Sequence, residues 1–370
     1  SKMTNQAKEL FSLSIKQTAN LIHSVPNRTV IAQGHMGSGK TSGIAAELAE
    51  LRPDNIYVEF DCTNKDIQDL SGPKFMKAAE DMISDYIEFV PNAELGAHLG
   101  KPITLNFDEL FKAPEPVKKG VRRIMLERKV GNIELPDGSL VYGTSNLGAE
   151  GLGDVLQAHQ RNAMIIVNTR KPTMMEYLEY GIANNFNHVF LGWCKDNPQL
   201  MQTFMEVQDP EENPYIFHPK AVGRNAFFTC RTGEFASDIL NSSEHMDDVT
   251  TQAALMGAIG ERSAMDLMAY VKLSHQLPSL QSIKDDPKGA KIPEGAAAKC
   301  MVVYRTLSAL DKDWINAWMD YLPRLDGITQ GLFVNGVRAP KYSNQTMVMT
   351  NKKFTDWAVQ NSHLYSADKV

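Results

Sequence analysis

Residues Ala32 to Gly43 read "AQGHMGSGKTSG", and this stretch decides the fold. It sits between an apolar run, "RTVIAQG" (28 to 34), and a run of helix formers, "TSGIAAELAEL". Gly34 through Thr41 satisfies the pattern G-x-x-x-x-G-K-[ST] in the context its mechanics need, a strand before and a helix after. Glycines let the backbone turn inward, so that the amides of Gly34, Gly37, Ser38 and Gly39 can point at phosphate oxygens. The helix that follows adds its positive end. Lys40 is placed to reach the outer phosphates, and the Thr41 hydroxyl to ligate Mg²⁺. His35 and Met36 occupy wildcard positions, and His35 reads as loop filler.

Working outward, short β-branched or aromatic runs bounded by turn residues recur through the first half. They are "RTVIAQG", "NIYVEFDC" (55 to 62), "ITLNFDEL" (103 to 110), "SLVYGTSN" (139 to 146) and "AMIIVNT" (163 to 169). Helical spacing lies between most of them. Strands alternating with helices predict an α/β domain whose parallel, five-stranded sheet is covered on both faces, an αβα sandwich. The β signal fades after about residue 192. Helical patterns then cover 234 to 241, 246 to 275 and 296 to 322, with "VNGV" (334 to 337) read as a hairpin tip and "NKKFTDWAVQNS" as a last helix. The expected organisation is an N-terminal amphipathic helix (1–20), a nucleotide-binding core (21–192), a helical lid (193–278) and a mainly helical C-terminal extension (279–370).

A phosphate loop by itself hydrolyses nothing; it needs a carboxylate strand. "ITLNFDEL" supplies one, with Asp108 to orient Mg²⁺ and Glu109 to polarise water as general base. Asn106 interrupts that strand's apolar pattern, so its amide needs a partner if buried. "SLVYGTSN" ends in Asn146, a side chain able to position the attacking water from the neighbouring strand.

Composition narrows the rest. The 370 residues are 43% hydrophobic and 22% charged, with net charge −6 and pI near 5.9, which argues against coating nucleic acid through bulk charge. Cys62, Cys194, Cys230 and Cys300 are scattered without a C-x-x-C pair, as expected of free thiols in a reducing compartment. No stretch approaches the roughly 18 to 20 apolar residues that span a bilayer. A cytoplasmic location and no membrane partner are the expectation.

The order of these parts resembles the AAA+ ATPases, and within them the MoxR branch, over roughly residues 20 to 290. Beyond the phosphate loop and Asp108-Glu109, "DIQDLSGP" (66 to 73) is similar to that branch's Asp-Leu-x-Gly loop. "LERKVGNIELPDGSLVYGTSN" (126 to 146) looks like its insert hairpin leading into the sensor-1 strand. "HQRNAMIIV" and "TCRTGEFASDIL" (229 to 240) resemble its finger and lid elements. The resemblance implies that Arg161 is an arginine finger reaching a neighbouring subunit's γ-phosphate and that Arg231 is the sensor-2 residue on bound nucleotide. "HQRN" departs from the family pattern, which leaves Arg122 or Arg123 in "PVKKGVRR" (116 to 123) open as the finger. "TCRT" carries Cys230 where proline is common, and residues 291 to 370 match no known element.

What the resemblance implies overall is ATP and Mg²⁺ use by a ring, usually a homo-hexamer, that remodels a protein client, often one with a von Willebrand A domain. A motor on nucleic acid is the alternative, for which "PVKKGVRR" is the only dense basic run. A small-molecule kinase is a third.

Overall fold

The computed structural model describes residues 11–147 and 163–365. It divides into two compact units, one ending at Lys171 and one beginning at Pro172.

In the first unit all five strands read from the sequence form one parallel sheet. They are β1 (Val30–Gly34), β2 (Ile56–Asp61), β5 (Ile103–Asp108), β8 (Leu140–Asn146) and β9 (Ile165–Asn168), in the order β2-β5-β8-β1-β9. Side chains alternate between faces, and that alternation builds two cores. Val30, Ala32, Leu140 and Tyr142 point to one side, where α1 (Ile15–Ser24) and α2 (Lys40–Leu51) cover them with Ala19, Ile22, Ile44 and Leu48. Ile31, Leu105, Phe107 and Val141 point to the other, beneath α3 (Glu115–Glu127) and its Val117, Val121, Ile124 and Met125. The α/β sandwich is therefore as expected.

The first described helix begins at Ile15, where Ser14 and Gln17 form a reciprocal capping box; most of the expected N-terminal helix lies outside the described residues. Just ahead of it, Leu13 pairs beside Thr169, and Thr18 shares a hydrogen bond with Thr169 at 2.9 Å. These contacts tie α1 to the sheet edge next to the phosphate loop.

Two antiparallel hairpins interrupt the α/β alternation. β3 (Ser71–Met76) pairs with β4 (Tyr86–Pro91), and the two-residue strands β6 (Lys129–Val130) and β7 (Ile133–Glu134) flank Gly131 just before β8. The second occupies the stretch compared with an insert hairpin.

The second unit is helical. α4 (Met174–Ala183) and α5 (His188–Asp196) belong to it, so the observed division falls at 171/172 and not near 192. The reason is packing: Tyr177, Phe186, Phe190 and Trp193 share their core with Phe228 and with the helices that follow. Those are α6 (Cys230–Asn241), α7 (Asp248–Ile259), α8 (Glu261–Ser274), α9 (Leu280–Asp285), α10 (Ala296–Ala309), α11 (Ile315–Tyr321), α12 (Gly327–Val337), α13 (Gln345–Met349), α14 (Lys352–Gln360) and α15 (Ser362–Tyr365).

One hydrophobic cluster runs from Tyr177 to Trp357, so the residues expected to form a lid and those expected to form an extension are built as one body. "VNGV" is not a hairpin tip; it is the last turn of α12. Its Gly336 lets that helix approach Leu307 of α10 more closely than any side chain would allow. Among the described residues no helix is long and apolar enough to cross a membrane.

Candidate nucleotide site

The site assembles where the sheet's connections diverge. From β1 the chain crosses β8 and β5 to reach β2, whereas from β8 it passes to β9 on the far side of β1. Open α/β sheets hold ligands beyond the carboxyl ends of strands at such a point. There Gly34 of β1 lies in register with Asn146 of β8, and Asp108 of β5 with Thr144 of β8 and Asp61 of β2.

The phosphate loop is built for close backbone approach. A Cβ on Gly34 would lie 2.8 Å from Lys40 Cδ and 2.9 Å from the Thr169 carbonyl, so no side chain fits. Gly37 and Gly39 take left-handed backbone angles, φ 68° and 81°. Gly39 caps α2 without a side chain to offer, and the first helical bond runs from the Gly43 N–H to the Gly39 carbonyl at 2.8 Å. The N–H groups of Lys40, Thr41 and Ser42 lie in the first turn of α2, where helix geometry supplies no intrahelical acceptor, the arrangement that favours an anion. Ser38 adds a buried hydroxyl with no hydrogen-bond partner.

Lys40 is only 4% exposed, although a lysine is almost never buried without a partner. Its ammonium donates to Asn146 Oδ1 and toward the His35 carbonyl at 3.5 Å. Asn146 in turn donates its backbone N–H to Glu109 Oε1 at 3.1 Å, and the Glu109 N–H donates to the Thr144 carbonyl at 2.8 Å. Three residues singled out separately, at the start of α2, the end of β8 and just after β5, are therefore one hydrogen-bonded chain: Lys40, Asn146, Glu109.

Asp108 is held by the Thr144 hydroxyl, 2.6 Å from its Oδ1. The same hydroxyl lies 3.2 Å from Asn106 Oδ1, and its single proton serves one oxygen at a time. Turning the Asn106 amide over would let Nδ2 donate to Thr144 and leave that proton for Asp108; which amide atom is which is an assignment from such networks. Asn106 is fully buried: its Oδ1 faces the Thr144 hydroxyl, while its Nδ2 has no hydrogen-bond partner among the described residues.

Glu109 is one of four non-glycine residues described with positive φ, at 55°. That turn ends β5 and drives Leu110 and Phe111 into the core under α3. The carboxylate's other oxygen, Oε2, faces Lys112 Nζ at 3.4 Å.

Asp61, Thr144 and Lys112 escaped the sequence reading. For Asp61 the signal was present, an acid closing a strand, but only the strand order reveals that it flanks Asp108. Burial pulls its pKa upward, yet hydrogen bonds from Thr63 and Asn64 and the charge of Lys65 win and hold it below the usual carboxylate range. Cys62 beside it is buried, and burial together with Asp108, Asp61 and Glu109 pushes its thiol far upward, so it stays a neutral core residue. His35 is held neutral as well: burial first, then the charges of Lys171 and Lys40, lower its pKa to about 4.

The remaining candidates do not belong to these strand ends. Arg161 lies outside the described residues. Arg231 is exposed in the first turn of α6, within the helical unit. In the basic run, Lys118 pairs with Glu115 at 3.6 Å and Arg123 with Glu127 at 3.1 Å, so α3 neutralises part of its own charge. Arg122 is half-buried on the same helix.

Mg²⁺ fits the residues present. It binds proteins through one or two carboxylates and the substrate's phosphates, not through an all-protein cage. Asp108, fixed by Thr144, and Thr41, in the uncapped first turn of α2, are of that kind. Among the described residues no group of three or more His, Cys, Asp or Glu is placed to hold a metal ion.

A scan of protein-family models gives no match, and a search of curated proteins gives none. Solved structures do match at low identity. A candidate ATPase from Cytophaga hutchinsonii is 17% identical with a TM-score of 0.28, over 42% of this chain and 47% of that one. NtrX from Brucella abortus in complex with ATP is 14% identical with a TM-score of 0.36, over 95% and 68%. Its complex with ADP is 13% identical with a TM-score of 0.33, over 94% and 67%. This chain spans about half the length of the first of them, 47%. At these TM-scores the neighbours carry no argument, and the reading rests on the chain's own geometry.

Proposed function

We propose that the first unit binds ATP with Mg²⁺ and hydrolyses it, as an AAA+ ATPase of the MoxR type. The observation that carries this reading is the linked set at the sheet's carboxyl edge. A buried lysine beside an uncapped helix N-terminus is joined through Asn146 to the carboxylate of Glu109. Positive groups gather where a triphosphate would lie, and carboxylates gather where its metal and the attacking water would be.

In this reading the amides of the loop and of Lys40 and Thr41 orient the phosphates, and the Ser38 hydroxyl gains a partner. Lys40 leaves Asn146 for the outer phosphate oxygens. Asn146, freed of Lys40, is then able to hold a water by its side chain while its N–H keeps Glu109 in place. Glu109 takes the water's proton as general base. Thr41 and Asp108 would hold Mg²⁺, which supplies charge neutralisation on the phosphates when bound.

The finer reading is assembly and a client. An arginine supplied by a neighbouring copy, Arg161 by family resemblance, would complete the transition-state charge, and such a finger is worth roughly 10³ to 10⁵ in rate. The proposed working form is a closed ring, a homo-hexamer by analogy, that remodels a protein partner such as one with a von Willebrand A domain. Arg231 is proposed as the lid's contact to nucleotide. Specific ATPase activity measured against protein concentration tests this: it should rise as the ring forms. An activity independent of concentration, with no oligomer in any nucleotide state, would remove the ring and the trans arginine.

A further inference from the structure

Resting on Glu109 as the general base, we infer that Lys112 is a positioning residue that holds the Glu109 carboxylate in an idle geometry, and that hydrolysis needs this ion pair to open. Both oxygens of the carboxylate are engaged: Oε1 accepts from the Asn146 N–H at 3.1 Å, and Oε2 faces Lys112 Nζ at 3.4 Å. A base must present a lone pair to the attacking water, and Oε2 is buried from solvent with Lys112 Nζ over it, so that oxygen meets a water only when the lysine moves aside. The Asn146 contact fixes Oε1 to backbone at the end of a central strand. The Lys112 contact uses the tip of a flexible, half-exposed side chain.

The local fold makes the pairing specific. Glu109 sits in a left-handed conformation that bends the chain into a 3₁₀ turn over Leu110–Lys112, closed by the Lys112 N–H donating to the Glu109 carbonyl at 3.1 Å. Leu110 and Phe111 anchor that turn in the core. Three residues after Glu109, Lys112 is thereby returned over the carboxylate it precedes to solvent. Its Nζ makes an ion pair and not a well-aligned hydrogen bond, as a separable contact would.

Steady-state ATPase kinetics of the full chain test this with Lys112→Met and Lys112→Arg. Opening a half-exposed ion pair should raise kcat of Lys112→Met about two- to fivefold, with KM for ATP unchanged because the lysine's partner is Glu109 and not a residue assigned to phosphate binding. Lys112→Arg should restore the parent rate. Added salt, which screens exposed pairs, should raise the parent's kcat and leave that of Lys112→Met flat. A kcat for Lys112→Met at or below the parent's, or the same salt response in both, overturns the inference. The base assignment fails separately, through a Glu109→Gln variant that hydrolyses at the parent rate; if that variant is inactive and Lys112→Met is unchanged, only the role of Lys112 is lost.

Discussion

The two units of this chain spend their interiors differently. The helical unit is built around aromatic rings. Phe190 and Trp193, Trp318 and Phe333, and Phe333 and Phe354 meet edge-to-face or tilted at 5.5 to 6.3 Å; Trp193 Nε1 donates to Asp266 at 2.9 Å, whereas Trp318 Nε1, Tyr304 Oη and Ser263 Oγ lie inside, scattered, without a hydrogen-bond partner among the described residues. At the carboxyl edge of the sheet polar groups converge instead. The Lys40 ammonium donates to Asn146, the Asn146 N–H donates to Glu109 on its left-handed backbone, and the Thr144 hydroxyl lies between Asp108 and Asn106. A protein interior tolerates such arrangements where a ligand completes them. The difference lies in arrangement: unanswered polar tips are scattered in one unit, and linked with charged groups at one edge in the other.

The largest expected effect lies in the scaffold. Trp318 is fully buried in α11, against Trp314, Tyr321 and Phe333. Trp318→Ala should destabilise the helical unit by about 3 to 5 kcal/mol, read as a lowered unfolding midpoint. Nucleotide binding by the first unit should persist at temperatures below that transition. A variant that loses nucleotide binding while still folded would mean that the two interiors are not separable in this way.

A smaller effect separates the units through their histidines. His35 in the phosphate loop and His188 at the start of α5 both have pKa values lowered to about 4. Burial is the main cause in each, followed by Lys171 and Lys40 for the first and Arg305 for the second. The unfolded chain, with histidine near 6.5, takes up protons first as pH falls. Each ring therefore contributes stability that is complete above about pH 6.5 and is lost as pH falls toward 4, roughly 2 to 4 kcal/mol for each. Bound ATP should raise the pKa of His35, whose cationic neighbours it would offset, and leave His188 unmoved. Titration of the two ring signals by NMR, with and without ATP, checks this; equal responses would break the distinction between site and scaffold.

Much of this was legible in the chain itself. The five sheet strands announced themselves because each is a short apolar or aromatic run bounded by turn residues, and the central three, β5, β8 and β1, are buried almost throughout. The hairpin of β3 and β4 did not, because Phe75, Ile87 and Phe89 are exposed and no buried face imposes an alternation on it. The two compact units divide about twenty residues before the point where the β signal fades, and the apolar pattern of α4 and α5 did not reveal this, since it says only that they are buried, not against which core. Within the site, Lys40, Asp108, Glu109 and Asn146 followed from spacing. Their connection did not: it depends on strand order, which places β8 between β5 and β1, and sequence order does not encode that. Lys112 had a signal in its Glu-x-x-Lys spacing, but that pairing is common on surfaces and acquires meaning only where Glu109 turns.

Phosphate release from ATP by Glu109→Gln, measured beside the parent protein with nucleotide binding followed in the same samples, tests the central claim most directly. Loss of a general base costs about 10² to 10⁴ in rate, so the variant should retain nucleotide while turning over at least about a hundredfold more slowly. Hydrolysis by Glu109→Gln at the parent rate would contradict the account.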